Sequence, residues 1–502
     1  MRRILNVLIV LLAALLIVQA GYSTQWPIAH DEAPLFYEAF MMRAEDLVPY
    51  RDLFDFQMPG SFIAYTALGL LSGFDSFRIR ILDLVILTAL LIITFFATQR
   101  FGKTPALAAA ILFGLKYLQG GPSMSLQREY LLLFFIALAL WISMQETLTL
   151  KHRITLGLFF GLAAVIKPHA AIGLIPILLF DIADLTQRLK LTLQKAAATS
   201  ILPAATGFAI PVLVVIVWLA LTNALIPFIN IAMNYWPLYS QVNGEMAITT
   251  SSRLPFLLTQ TLHLGGHALW LIPALLGVYL NQNKKTYLLV SLALCYAIYP
   301  AFSGQFFPYH YIPFIYFIIL LSSLAITQSP FSTSHLPPST ILLSSFFFLL
   351  TIFALIRPST TFIRQLNNQP IITSTDRARE ISRFLEKNLQ DGDTVQPLDW
   401  TGGTLLAMLE SRARLATPYV FDFYFYHHVS NPYIQSLRAD FMNDLQAANP
   451  RFIIEVTAID KPWITGPDTS REFPELRAFL NENYSVTIHK DDYTIYEFDD
   501  RP

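Results

Sequence analysis

The feature that most constrains this chain is a recurring run of apolar residues. Each run approaches the roughly 20 residues that a helix needs to cross a bilayer, and polar punctuation separates one from the next. Such runs lie near 4–21, 79–98, 105–120, 129–146, 154–167, 169–185, 198–222, 266–281, 286–302, 309–327 and 338–356. They predict a polytopic α-helical membrane protein with about eleven crossings. The segment Pro59 to Gly73 is also apolar, but it is shorter and follows a polar loop, so it is expected on or in the membrane interface. With 54% hydrophobic and 14% charged residues, the chain has too little polar surface for an ordinary soluble globule. Arg2 and Arg3 ahead of the first run fit a signal peptide as well as an anchor, and the length of the run favours an uncleaved anchor.

Lys and Arg collect in alternate loops: Arg2 and Arg3, Arg100 and Lys103, Lys151 and Arg153, then Arg188, Lys190 and Lys195, then Lys284 and Lys285. Cytoplasmic loops are enriched in these residues, so that side is expected to be the cytoplasm. The other side receives the loop 22–77, the short loop Gly120–Gln127, the loop from Asn223 to Gly265, and the turn Gly304–His310. An odd number of spans sends the C-terminus there too. Residues 1–356 are thus expected to form the membrane domain. From about Arg357 charges become frequent, and 357–502 is expected to be a small α/β domain. Its elements are a helix over Asp376–Leu389, strands at Thr394–Leu398, Arg451–Val456, Val486–His489 and Tyr493–Phe498, and helices near Gly403–Leu409 and Glu475–Asn483.

The 34 basic and 35 acidic residues leave no basic footprint for nucleic acid. A single cysteine excludes an internal disulfide and a multi-thiolate metal site. No Gly-rich phosphate loop, nucleophile elbow or kinase signature is present. Partners are expected among lipids and small molecules.

Ionisable residues beside membrane spans are costly and mark candidate sites. His30, Asp31 and Glu32 begin the long outer loop. Two adjacent carboxylates suit a general base or divalent-cation ligands, while the structural alternative is the acidic first turn of a helix. Gln127, Arg128 and Glu129 open the fourth span, where Glu129 suits a metal or acceptor and Arg128 an anion, against a snorkelling pair. Lys167 precedes Pro168 and His169 between two short spans with no carboxylate close in sequence. It is either a phosphate ligand or a lysine at headgroup level. Tyr309, His310 and Tyr311 suit contact with a sugar or phosphate, or an aromatic belt. Arg51, Asp52, Asp55 and Gln57 precede Pro59 and Gly60 in the long loop and are weaker candidates, with solvated turn residues as the structural alternative. His263 and His267 lack a third metal ligand close by, and His427 with His428 reads as packing.

The order of these motifs resembles the GT-C fold glycosyltransferases, in the bacterial branch related to protein O-mannosyltransferases and the lipid A aminoarabinose transferase. The resemblance rests on Asp31-Glu32 after the first span, the segment Pro49-Tyr50-Arg51-Asp52-Leu53-Phe54-Asp55-Phe56-Gln57-Met58-Pro59-Gly60, and the span opening Phe77-Arg78-Ile79-Arg80-Ile81-Leu82-Asp83. It rests also on Glu129, Lys167, and His310-Tyr311 followed by Pro313. It implies transfer of a sugar from a polyprenyl-phosphate donor to an acceptor outside the cytoplasm, in a bacterial inner membrane, with inversion at the anomeric carbon. Asp31 would be the base, with Glu32 and Glu129 shaping the site and a divalent metal on Asp31 and Glu129. Lys167 and Arg128, with His310 and Tyr309, would hold the donor phosphate, and the juxtamembrane segment with Arg51, Asp55 and Gln57 would form the cavity roof. One departure is that many relatives have Lys-Pro-Pro where Gln57-Met58-Pro59 stands. The alternative functions are a secondary transporter and a non-catalytic binder of lipid-linked sugar.

Overall fold

The structure is a computed structural model that describes residues 2–249, 251–326, 360–369, 371, 373–459 and 461–499. The expected span at 338–356 lies outside them. The chain divides into two compact units.

The first unit comprises 1–26, 80–215 and 257–369. Its helices are α1 (Arg2–Ser23), most of α4 (Ser76–Thr98), α5 (Lys103–Gln119), α6 (Arg128–Ser143), α7 (Leu150–Ile166), α8 (Leu174–Arg188), most of α9 (Leu193–Leu221), α12 (Leu271–Leu280), α13 (Lys284–Ser303) and α14 (Ile312–Ser323). Each occupies an expected span. The expected count of crossings is not reached by length and composition, however. Among the described residues five helical stretches are long and apolar enough to cross, and a sixth arises if the pair Arg253–Gly266 and Ala268–Leu280, bent by 63°, counts as one. The difference lies in α1, of which Val7–Ser23 counts as a shorter apolar helix, and in α5, α6 and α7, which at 17, 16 and 17 residues reach only about 25 Å at 1.5 Å per residue.

Helix α14 is the centre of this unit. It packs against α5, α6, α12 and α13, and its residues are buried on every side, which explains an apolar sequence without a polar face. The hydroxyls of Thr94 on α4 and Tyr316 on α14 lie 3.0 Å apart and satisfy each other in this dry interior. Helix α7 lies so close to α9 that a Cβ added at Gly157 would fall 1.8 Å from the Ala204 carbonyl oxygen, and one at Gly207 would fall 1.9 Å from that of Ile154. Gly157 and Gly161, four apart, keep this face of α7 flat. That is how membrane helices gain close packing where no hydrophobic drive separates them from lipid. The contact fixes α7, which ends at Lys167.

The second unit comprises 27–79, 216–256 and 370–502. The long outer loop, expected to belong with the membrane domain, therefore packs with the C-terminal segment. Its helices α2 (Glu32–Ala44) and α3 (Pro59–Ser72) are joined by α10 (Leu225–Tyr239) and a short hairpin of β1 (Val242–Asn243) and β2 (Met246–Ala247). Hydrogen bonds stitch them to the C-terminal segment. Tyr37 donates to the Ala413 carbonyl at 2.9 Å, the Phe54 amide to Pro418 at 2.9 Å, and Tyr424 to the Phe54 carbonyl at 2.9 Å. The rings of Phe54, Phe56, Tyr235 and Tyr424 pack at 4.8 to 6.1 Å between centroids. Aromatic burial of this kind explains why the motif from Pro49 to Gly60 is rich in Phe and Tyr.

A five-stranded sheet completes this unit, in the order β4 (Arg414–Leu415), β3 (Thr394–Leu398), β5 (Phe452–Val456), β7 (Tyr493–Phe498), β6 (Tyr484–His489). The first three strands are parallel, and β7 runs antiparallel to both its neighbours. Helices at Thr373–Asn388, Thr404–Ser411 and Pro474–Asn483 match the sequence reading. The helix Pro432–Ala448 and the two-residue β4 were not expected.

His427 is buried here. Its Nε2 lies 3.1 Å from the Tyr235 hydroxyl, and its Nδ1 has no hydrogen-bond partner. Burial pushes its pKa down to about 3. Because this lies below the ordinary value, protons bind the unfolded chain preferentially below about pH 6.5, and stability is lost as pH falls. Between pH 7 and pH 5 the loss from this group is about 2 kcal/mol. Limited proteolysis of the C-terminal segment across that range should show the acid sensitivity, and His427→Gln, which retains a partner for Tyr235, should flatten it.

Candidate active site

In the first unit the site is built on a brace. The turn after α5 passes Gly121 in a left-handed conformation (φ 71°), a single 3-10 turn at Pro122–Met124, and Leu126 at φ 46°, before α6 begins at Arg128. Four buried side chains hold this loop. Arg80 donates to the Trp26 carbonyl at 3.2 Å and to the Ser125 hydroxyl at 2.6 Å. Ser125 in turn donates to Asp83 at 2.6 Å, and Tyr117 donates to the other Asp83 oxygen at 2.7 Å. The Tyr117 oxygen accepts the Leu126 amide at 3.0 Å, and its ring stacks on Tyr130 at 4.1 Å. Arg80 and Asp83, known from the sequence only as the opening of a span, thus fix where Glu129 emerges. Their partners come from other helices, so sequence spacing could not assign them this task.

Glu129 is fully buried in the first turn of α6. Its Oε1 pairs with the Lys167 ammonium, lies 3.3 Å from His310 Nε2, and accepts from the Tyr299 hydroxyl at 3.5 Å. Its Oε2 is buried with no hydrogen-bond partner. Lys167 sits just past α7, where the extended backbone (φ −149°, ψ 119°) before Pro168 ends that helix. Its Nζ also lies 2.9 Å from His310 Nε2. His310 Nδ1 is 2.8 Å from the Gln305 carbonyl, which only an Nδ1–H can satisfy, so in the neutral ring Nε2 is left as an acceptor for the ammonium. Tyr309 places its ring centroid 5.9 Å from Lys167 Nζ, and Arg128 is buried beside Glu129. The expected phosphate ligands Lys167, Arg128, His310 and Tyr309 and the expected carboxylate Glu129 therefore form one cluster. Lys167 is turned toward Glu129 and His310, and His310 is buried.

In the second unit Asp31 stands at the N-cap position of α2, yet its side chain makes no capping hydrogen bond. Its Oδ1 lies 2.9 Å from His30 Nδ1, and His30 takes a left-handed backbone (φ 52°) that is strained for a residue with a Cβ. Glu32 is buried and accepts the Ala29 amide at 3.2 Å. Both acidic residues thus stand at the start of α2, Asp31 at the N-cap position and Glu32 in the first turn, and the Glu32 carboxylate accepts the amide of the chain entering it.

Of the expected roof residues, Arg51 is bound in two places to Asp52, at 2.9 and 2.7 Å, and donates to the Thr222 carbonyl. Asp55 is buried and accepts the Gln57 amide at 2.9 Å. These residues shape their own loop. The paired Arg51 guanidinium holds the Asp52 carboxyl below its usual range. Glu38, which sequence reading did not single out, is buried in α2 and reaches Tyr50 and Tyr424 electrostatically, as Asp55 does. Its position one face-repeat after Asp31 in an apolar helix was the available signal.

Among the described residues no group of three or more His, Cys, Asp or Glu is placed to hold a metal ion. Glu129 is paired with Lys167.

Residues 59–218 match the family model of dolichyl-phosphate-mannose-protein mannosyltransferases. This stretch holds Glu129 and Lys167 and leaves out Asp31, Glu32 and His310. Among solved structures the chain is similar to ArnT from Cupriavidus metallidurans bound to undecaprenyl phosphate, with a TM-score of 0.60, 12% identity, and 97% of each chain covered. It is also similar to the same protein in the apo state, with a TM-score of 0.57, 12% identity and 98% of each chain covered. No curated protein matches the chain in sequence. The likeness is one of fold: the chain has the GT-C fold, with several apolar helices and a small sheet at the C-terminal end.

Proposed function

We propose that this protein transfers a sugar from a polyprenyl-phosphate donor to a hydroxyl outside the cytoplasm, with inversion at the anomeric carbon. The observation that carries this reading is the half-buried cation Lys167, held between the buried Glu129 carboxylate and His310 Nε2. An ionisable group within a membrane bundle marks a ligand or ion site by default, and an ammonium partly open beside a buried carboxylate suits an anionic ligand. The matched mannosyltransferase family and the undecaprenyl phosphate bound to ArnT support a lipid phosphate as that ligand.

In this mechanism Asp31 accepts the proton of the acceptor hydroxyl as its oxygen attacks the anomeric carbon. The bond between that carbon and the phosphate oxygen breaks, and polyprenyl phosphate leaves with the bonding electrons. Lys167 and Arg128 stabilise the charge that grows on the phosphate. Tyr309 and His310 keep the ammonium in place, and Glu129 compensates it when no phosphate is bound. Glu32 holds the chain entering α2, and so the backbone that carries Asp31.

Mass spectrometry of lipid retained by the protein tests the donor class. Polyprenyl phosphate or its sugar ester is expected in the wild type and depleted about tenfold or more in Lys167→Met. Wild-type protein that retains only phospholipid, and binds no added polyprenyl phosphate, would remove the basis of this reading. The transporter alternative has no separate observation in its favour.

A further inference from the structure

The first unit contains a charged cavity, of about 420 Å3, at the other end of its helices from Glu129. Glu129 opens α6, and the cavity lies where α6 closes, at Ser143. Arg100 follows α4, Arg188 ends α8, and Lys284 and Lys285 begin α13, so four cations from three elements face one space with Glu146 and Asp184.

Some of this charge has a structural task. Lys285 donates to the Ser143 and Gln145 carbonyls at 2.5 and 3.0 Å, Arg100 to the Met144 carbonyl at 2.5 Å, and Arg188 to the Glu146 carbonyl at 2.8 Å. The Ser143 and Met144 carbonyls are left open by the end of α6, those of Gln145 and Glu146 belong to the turn after it, and cations suit that end of the helix dipole. The carboxylates do not balance what remains. Asp181, which also lines the cavity, is consumed by the buried Arg153 at 2.7 and 3.0 Å and by Ser200 at 2.6 Å. That leaves Glu146 and Asp184 against Arg100, Arg188, Lys284 and Lys285. Asp184 is shared between Lys284 at 2.7 Å and Arg188 at 3.6 Å, and Glu146 between Arg100 at 3.3 Å and Arg188 at 3.9 Å. The amides that open α13 are taken by the Asn283 side chain, so side-chain cations, and not the helix terminus, make this an anion site.

We infer that this cavity is a second phosphate site, distinct from the donor site, and that it holds the phosphate headgroup of an anionic phospholipid. The helices that form its wall are apolar on their outer faces. Leu179 on α8 and Leu294 on α13 are each at least 60% exposed, and a lipid's chains can lie along such faces while its headgroup enters the charged space. The same lysines and arginines fall in the loops that the charge bias assigns to the cytoplasm, where anionic lipid gathers.

The test is native mass spectrometry of the full-length protein titrated with phosphatidylglycerol, with phosphatidylcholine as the neutral control and inorganic phosphate as competitor. The wild type should prefer phosphatidylglycerol. The double variant R188Q/K284Q should bind it roughly tenfold more weakly, and Asp184→Asn, which releases both cations from their shared carboxylate, should bind it more tightly. The paired directions separate a binding role from misfolding, because misfolding cannot tighten binding. Displacement of the lipid by millimolar inorganic phosphate, with the same dependence on Arg188 and Lys284, would assign the phosphate to a soluble source. Equal binding by the wild type and R188Q/K284Q, or no preference over phosphatidylcholine, would overturn the site.

Discussion

Replacing Lys167 by Met is expected to lower sugar transfer by about 100- to 1,000-fold, the range for removing a charge that stabilises the leaving group. The same change damages the fold, because it leaves the fully buried Glu129 carboxylate without its paired ammonium. Breaking a buried pair from one side costs about 3 to 5 kcal/mol, and the nearby Arg128 should hold the loss toward the lower figure. The two effects separate in the double variant Lys167→Met with Glu129→Gln. That protein leaves no bare Glu129 carboxylate and keeps the net charge of the cluster, so it should regain most of the lost thermal stability while its transfer rate stays low. If the double variant recovers transfer along with stability, Lys167 is a structural residue and the phosphate must be held elsewhere.

The cluster around Lys167 shows what the sequence could and could not convey. Each member was legible as a costly ionisable residue beside a span, because charge in an apolar run stands out regardless of the fold. Their mutual arrangement was not. Lys167 had no carboxylate near it in sequence, and its partner Glu129 lies 38 residues earlier on another helix. His310 could be read as a member of an aromatic belt until its Nδ1 was seen on the Gln305 carbonyl and its Nε2 beside the ammonium. Arg80 and Asp83 were visible as charges in an apolar run, but their role depends on Ser125 and Tyr117 arriving from another helix and its loop.

The fold was legible for a similar reason and to a similar depth. Apolar run length located the described membrane helices, since each must satisfy its own backbone within the bilayer. Run length does not give the helix ends, because runs such as 129–146 continue past the helix end at Ser143 into a turn whose carbonyls Lys285 binds. In the C-terminal segment the β-rich runs gave β3 and β7 to the residue. The helix Pro432–Ala448 was missed although Asn431 caps it and Pro432 opens it, a start signal that its mixed polar sequence obscured. That the outer loop packs with this segment follows from aromatic contacts between residues hundreds of positions apart, such as Phe54 with Tyr424.

Asp31→Asn is the second substitution with a large expected effect. Loss of a general base costs about 100- to 10,000-fold in rate. The fold should tolerate it, because the Asp31 carboxylate makes no capping bond to α2 and Asn is close in shape. A helix-capping role would give the opposite pattern, about 0.5 to 2 kcal/mol of stability with no change in rate. Donor binding should be unaffected, since the phosphate is assigned to Lys167 and Arg128.

The most direct measurement is a single-turnover reaction of the purified wild type and Asp31→Asn with a polyprenyl-phosphate sugar and envelope acceptor, following both the product and its anomeric configuration. The account predicts an inverted glycoside from the wild type and, from Asp31→Asn, the same product at least 100-fold more slowly with undiminished donor binding. A wild-type protein that binds the donor yet glycosylates nothing, or an Asp31→Asn variant that keeps the wild-type rate, would contradict it.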